Sequence, residues 1–201
     1  TTSTGSPNVE ITDSTTGNIT TYHSVFIATQ ISVGGVVLFG LYPVNATYSS
    51  TQYGIQATNI LGNPQSAAYV ATNAGATPAF ATTSNQSVVT VTLNDHGYSV
   101  GSTFPVLVPT TVGGITLFGN YIVTTVPLTP TSPTTGTPST FTIQATQQAT
   151  STTTGSMNGG LARFVYSMGI GPPVGGSGYG IGGYGTGQRS QAAVKFLLYS
   201  L

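Results

Sequence analysis

Val33-Gly-Gly-Val-Val-Leu-Phe-Gly-Leu-Tyr-Pro-Val-Asn-Ala46 recurs, without a gap, as Val112-Gly-Gly-Ile-Thr-Leu-Phe-Gly-Asn-Tyr-Ile-Val-Thr-Thr125. Eight of the fourteen positions are identical. Downstream, Ile55-Gln-Ala-Thr58 returns as Ile143-Gln-Ala-Thr146, with Tyr53 answering Phe141. The offset grows from 79 to 88 residues, which places a nine-residue insertion in the Pro- and Thr/Ser-rich stretch 127–138. Upstream, Val9-Glu-Ile-Thr12 is set against Val88-Val-Thr-Val91 at the same 79-residue offset. Two blocks matching in the same order read as an internal duplication of one β-unit.

Each unit has strand chemistry. Residues 88–93 are β-branched and alternate Val89, Val91 and Leu93 on one face with Val88, Thr90 and Thr92 on the other. Asn94-Asp-His-Gly97 punctuates the run as a turn. Residues 104–108 read as a second strand, with Pro105 arguing for an edge or a bulge. The paired glycines Gly34-Gly35 and Gly113-Gly114 suit a primed hairpin turn, whose twist matches that of the flanking strands. Strands are then expected over 115–118, 121–126 and 141–145, with Gly119-Asn120 as a second turn flanked by large aromatics. Copy one repeats the pattern over 25–28, 36–39, 42–46 and 53–57.

The expected fold is therefore all-β: two tandem, related small β-barrel or sandwich domains followed by a Gly-rich C-terminal arm that ends in a strand. The first unit spans 1–60, an irregular linker 61–84, the second unit 85–150, and the arm with its strand 151–201. Phe39, Tyr42, Phe104, Phe118, Tyr121 and Phe141 are the candidate core, because small β-units need bulky fillers. In the arm, Gly178-Tyr-Gly-Ile-Gly-Gly-Tyr-Gly-Thr-Gly187 offers Tyr179 and Tyr184 as anchors against a neighbouring surface. The terminal run alternates Val194, Phe196 and Leu198 on one face and is free by its position to pair elsewhere, including with another subunit.

Charge narrows the function classes. The 201 residues include three Lys and Arg and three Asp and Glu, so charged residues are 3% of the chain, against about a quarter in ordinary domains. Arg163, Arg189 and Lys195 are too few for a multi-phosphate footprint or a polybasic membrane patch, so neither nucleic acid nor membrane is an expected partner. No apolar run is long enough to span a bilayer as a helix, and residues 1–7 lack the pattern of a signal peptide. There is no cysteine. An uncharged surface has little electrostatic defence against association, so it is either solvated by Thr, Ser, Asn and Gln hydroxyls and amides or, the favoured reading, permanently covered by partners.

No chemistry-bearing constellation stands out. Asp95-His96 is the one adjacent acid–imidazole pair, but it sits in a turn and lacks a Gly-x-Ser-x-Gly elbow. His23, His96, Asp13, Asp95 and Glu10 show no metal-ligand spacing. The run from Gly178 lacks a following lysine and a βαβ context, so it is no phosphate cradle. No enzyme, no metal and no cofactor are expected.

The block Leu93-Asn-Asp-His-Gly-Tyr-Ser-Val-Gly-Ser-Thr-Phe104, then Gly114-x-x-Leu-Phe-Gly-Asn-Tyr-x-Val123, then Thr140-Phe-Thr-Ile143, resembles a small β-module of tailed-bacteriophage and prophage structural proteins. Such modules are often matched to the small β-domain named in ubiquitin-activating enzymes. The resemblance covers residues 88–146, and of residues 9–58 only the second half, since the first half departs from the pattern with Gly17 in place of His96 and Tyr22 in place of Gly101. It implies a virion scaffold or adaptor in a tail, baseplate or connector, with copies of itself and other particle proteins as partners. The alternatives are a receptor- or carbohydrate-binding module of a fibre, with a host receptor or glycan as partner, and a capsid decoration or surface-layer protein. Tyr22, Tyr48, Tyr53 and Tyr98 are the stacking faces such a glycan module would use.

Overall fold

The structure is a computed structural model that describes residues 1–59, 62–72, 75–127, 139–157, 162–168 and 196–200. The protein is all-β, built from several small antiparallel sheets. One sheet joins β1 (Asn8–Thr12), β4 (Ala46–Thr47) and β5 (Gln52–Gln56) in the order β1-β5-β4. A second joins β2 (Ser24–Val33), β3 (Val36–Pro43), β12 (Phe164–Met168) and β13 (Phe196–Ser200) in the order β13-β12-β2-β3. The third has six strands: β6 (Ala79–Thr82), β7 (Val88–Thr92), β8 (Thr103–Val112), β9 (Ile115–Thr125), β10 (Thr140–Gln144) and β11 (Thr153–Met157), ordered β11-β6-β7-β10-β9-β8.

Period-two alternation decides which faces are buried. On β7, Val89 and Val91 turn inward while Val88, Thr90 and Thr92 face solvent. Buried side chains collect into two clusters. One gathers Val9, Ile11, Val25, Ile27, Tyr53, Ile55 and Tyr166, and the other gathers Phe80, Val89, Val91, Phe104, Leu117, Phe141 and Ile143. Within the second, the rings of Phe104 and Phe141 meet edge to face at 4.9 Å between centroids, a preferred aromatic geometry.

The glycine pairs close both long hairpins. Gly34, Gly35, Gly113 and Gly114 all have positive φ, between 55° and 87°, which gives each two-residue turn its primed form. Gly34 and Gly113 are held by contact as well as by φ. A Cβ on Gly34 would collide with the hydroxyl of Thr2, and one on Gly113 with that of Thr82.

Several expectations are corrected. Gly119-Asn120 is not a turn: β9 runs unbroken through it, and Gly119 at φ 108° opens a bulge in which Val106 faces Gly119 and Thr110 faces Leu117. That bulge sends Phe118 outward, so Phe118, expected in the core, is 61% exposed. Tyr42, Phe104 and Phe141 are buried, while Phe39 and Tyr121 are half-buried. The Tyr121 hydroxyl instead accepts the Phe118 N–H at 3.0 Å, as the Tyr42 hydroxyl accepts the Phe39 N–H at 3.0 Å. Each Phe-Gly-x-Tyr block is thus a strand bend latched by its own tyrosine.

The upstream offset is 80 residues, not 79. Val9 pairs with Ile55 and Val89 with Ile143, so Val9 answers Val89 and Ile11 answers Val91. The stretch 61–84 is not irregular throughout, because Phe80 carries β6 into the six-stranded sheet. The stretch 151–201 contains β11 and β12 before its terminal strand, and β13 pairs with β12 of its own chain rather than lying free for another subunit. Pro105 does sit on an edge strand, where a missing N–H costs no ladder bond.

Candidate functional site

Asp95 and His96 lie where the two clusters meet. Val37 of β3 packs against the second cluster, and a cleft of about 320 Å³ opens beside it. Its walls include Phe39, Asn59 and Gln65 on one side and Asp95, His96 and Tyr98 on the other. The rings of Phe39, His96 and Tyr98 and the amides of Asn59 and Gln65 share its lining, which offers both apolar faces and hydrogen-bonding edges.

Gln30 ties the two sides together. It is buried in the bulge of β2 between Ile27 and Ile31, and its Nε2 donates to the Pro105 carbonyl at 2.9 Å. It also meets the Tyr98 hydroxyl. Burial pushes the Tyr98 phenol above its ordinary pKa, with the Gln30 bond pulling the other way.

The loop after β7 sets His96. Asp95 takes φ 57°, a left-handed conformation that Asp tolerates, and Gly97 follows at φ 64°. The reversal tucks the imidazole against Phe141, at 4.8 Å between centroids, and stacks it on Tyr98 at 5.8 Å and 26°. His96 Nδ1 accepts the Tyr98 N–H at 2.9 Å, so the neutral ring carries its proton on Nε2. Burial holds its pKa below the ordinary histidine value, opposed by the Thr140 backbone and by Asp95. A neutral imidazole with Nδ1 committed to the backbone is a packing and positioning element of the loop.

A second polar constellation lies inside the first cluster. Tyr166 on β12 donates to Asp13 Oδ2 at 2.6 Å, and its hydroxyl is 2.8 Å from that of Tyr53. Because the Tyr166 proton goes to the carboxylate, Tyr53 is the donor of the second bond. Asp13 Oδ1 accepts from the Thr15 N–H at 2.9 Å and from its hydroxyl at 2.6 Å. Burial drives both phenols well above their usual range; at Tyr166, the bonds to Asp13 and Tyr53 add to it. His23 is not part of this group: its Nδ1 accepts the Thr20 N–H at 3.0 Å.

Among the glycan-stacking candidates, Tyr22 and Tyr48 are exposed, Tyr98 is half-buried and Tyr53 is buried. Among the interface candidates, Tyr179, Tyr184 and Val194 lie outside the described residues. Phe196 and Leu198 belong to β13, in register with Met168 and Tyr166. Among the described residues no group of three His, Asp or Glu side chains is placed to hold a metal ion. Gln30 and Tyr166 are absent from the sequence-level candidates, because nothing local marks them: their partners lie 75 and 153 residues away. No protein-family model matches the chain, and no curated protein or solved structure matches it either.

Proposed function

We propose that the chain is a structural subunit of a virion-type assembly, tail-associated as a tail, baseplate or connector component, and that it acts as scaffold and adaptor without catalysis. The observation that carries this reading is an apolar strip on the outer face of the β8–β9 hairpin. Leu107, Phe118 and Ile122 are 40%, 61% and 56% exposed there, on a protein with only six charged side chains. An exposed cluster of large apolar side chains on a nearly charge-free surface fits a face that is covered in use, since association there desolvates few charges.

The two clusters are read as two related β-units acting as paired rigid blocks. Supporting this, the Thr2 hydroxyl donates to the Tyr69 carbonyl at 3.0 Å, as that of Thr82 donates to the Ser151 carbonyl at 3.0 Å. The Gly34 carbonyl receives the N–H groups of Ala68 and Tyr69, as that of Gly113 receives those of Thr150 and Ser151. Gly-rich residues 169–187, as an arm toward neighbouring subunits, complete the proposal.

Electron microscopy of the intact particle tests it, by locating the chain and counting its copies. Several symmetric copies with the β8–β9 face against a neighbour are expected. A chain absent from purified particles, or present with that face open to solvent, ends the reading. A second reading, glycan binding as part of a fibre, is favoured by one observation only: Phe39, Asn59 and Gln65 share the junction cleft with Tyr98. Saturation-transfer NMR with a panel of host surface glycans separates the two, since the scaffold reading expects no transfer.

A further inference from the structure

The two long hairpins correspond residue for residue at the 79-residue offset. Phe26 pairs with Leu41 as Pro105 pairs with Asn120, and Ile31 pairs with Leu38 as Thr110 pairs with Leu117. β2 therefore answers β8, and the same edge of each strand can be compared. The edge of β8 is covered by the first hairpin. Gln30 donates to the Pro105 carbonyl at 2.9 Å, and Val37 and Phe39 share the junction cleft with Thr103 and Pro105. Pro105 has no N–H, so its carbonyl is all that this edge offers at that point, and a side-chain amide satisfies it.

The same edge of β2 is covered by β12. Val165 pairs with Phe26 and Ser167 with Ser24, and the Ala28 N–H donates to the Arg163 carbonyl at 2.9 Å. Phe26 and Ser24 are the counterparts of Pro105 and Thr103. β12 thus occupies on the first core the position that the β2–β3 hairpin takes on the second.

The covering face of the first hairpin has its own counterpart. Where that hairpin carries Gln30, Val37 and Phe39, the second carries Pro109, Thr116 and Phe118, all three exposed. Thr116 and Thr111 present a hydroxyl pair there, 3.1 Å apart. Those hydroxyls suit the β2 edge, which differs from that of β8 in having an N–H as well as a carbonyl to satisfy at Phe26. A contact of this kind sets different surfaces against each other, so repeating it between copies builds a head-to-tail row.

We propose that β12 caps a head-to-tail interface between copies of this chain. With β12 in place the chain does not add to itself. With β12 displaced, the β2 edge of one copy receives the β8–β9 face of the next. Terminal caps of this kind keep repeat arrays soluble. Naming a second copy rests on the reading above that the β8–β9 face is covered in use, and not on the particle that uses it.

Val165→Pro takes away the N–H that strand alternation turns toward Phe26, and so opens the cap. Sedimentation velocity of the full chain is expected to give monomer for the natural sequence and a concentration-dependent series of oligomers for Val165→Pro. Adding Phe118→Ser is expected to restore the monomer. A folded but monomeric Val165→Pro chain overturns the proposal, as do oligomers that survive Phe118→Ser. So does a natural chain that already forms Phe118-dependent oligomers, since β12 would then cap nothing.

A second measurement leaves the β12 backbone intact and decides the matter if Val165→Pro does not fold. The chain has no cysteine, so two single-cysteine chains, Ser24→Cys and Pro109→Cys, are mixed and joined with a short bismaleimide. Tyr166→Phe in the Ser24→Cys chain loosens β12 by removing its bond to Asp13. It is expected to speed the mixed product at least about fivefold, the factor for one lost hydrogen bond. An equal rate with and without Tyr166→Phe overturns the cap. Either failure leaves the scaffold role to be decided by microscopy of the particle, where the β8–β9 face can still lie against a different protein.

Discussion

The hydroxyl of Tyr166 on β12 lies 2.8 Å from that of Tyr53 on β5, across 113 residues of sequence, and both rings are fully buried. Their rings meet edge to face at 5.9 Å between centroids. The pair, ended by Asp13, fastens β12 to a cluster whose other buried members among the described residues lie between Val9 and Ala57. Tyr166→Phe removes the donor to Asp13 and the acceptor of Tyr53 together. The expected loss is about 1–3 kcal/mol of unfolding free energy, since two polar groups are left without their partner. Tyr53→Phe removes one bond and is expected to cost less. The double variant is expected to fall short of the sum of the two, because the residues share a bond. Urea unfolding of the four proteins measures the coupling.

The hairpin glycines carry two constraints at once. Gly113→Ala forces an L side chain into φ 55° and drives its Cβ into Thr82. A loss of about 2–4 kcal/mol is expected, combining left-handed backbone cost with overpacking. Thr82→Ala added to Gly113→Ala should recover only part of the steric share, since the Ser151 carbonyl still stands 2.8 Å from the new Cβ, and none of the backbone share. Full recovery in thermal unfolding would place the whole constraint on contact.

Stability is expected to fall as pH drops below about 6.5, the ordinary histidine value. Burial lowers the His96 pKa in the folded state, so below that pH the unfolded chain binds a proton that the folded chain does not. The loss grows as pH falls and levels off below the folded-state pKa. His23 is lowered by burial as well and contributes in the same direction. His96→Gln is expected to flatten the slope of Tm against pH between 7 and 5 in part, leaving the His23 share. A slope unchanged by the substitution removes His96 from the account.

Phe118 and Phe141 separate surface from core. Phe118→Ser is expected to change the unfolding free energy of the isolated chain little, within about 0.5 kcal/mol, and, on the proposed scaffold role, to reduce incorporation into particles severalfold. Phe141→Ala is expected to cost about 3–5 kcal/mol, since a ring packed against Phe104, His96 and Tyr98 is replaced by a cavity. Incorporation of Phe118→Ser at the native level would remove the outer face of β8–β9 from the assembly contacts.

The strands built from alternation were legible: Val89 and Val91 announce the inner face of β7, and the glycine pairs announce their hairpins. The path of the chain after Phe39 and Phe118 was not, since a glycine followed two residues later by tyrosine reads equally as a turn. Only the hydroxyl reaching back to the Phe N–H makes it a bend within a strand. The junction cleft was half legible. Asp95, His96 and Tyr98 stand in one loop and drew attention by type. Gln30, which joins that loop to β2, looked like any polar strand residue because its partners come from the other core.

The sequence by itself determined an all-β chain with matching Gly-Gly and Phe-Gly-x-Tyr blocks, because turn chemistry and period-two burial are local properties. Tertiary structure alone decided which aromatic faces out, which strand closes each core edge, and where Tyr166 returns to meet Tyr53. The bonds of Tyr166 to Tyr53 and Asp13 span 113 and 153 residues, and no local pattern encodes a distance of that kind.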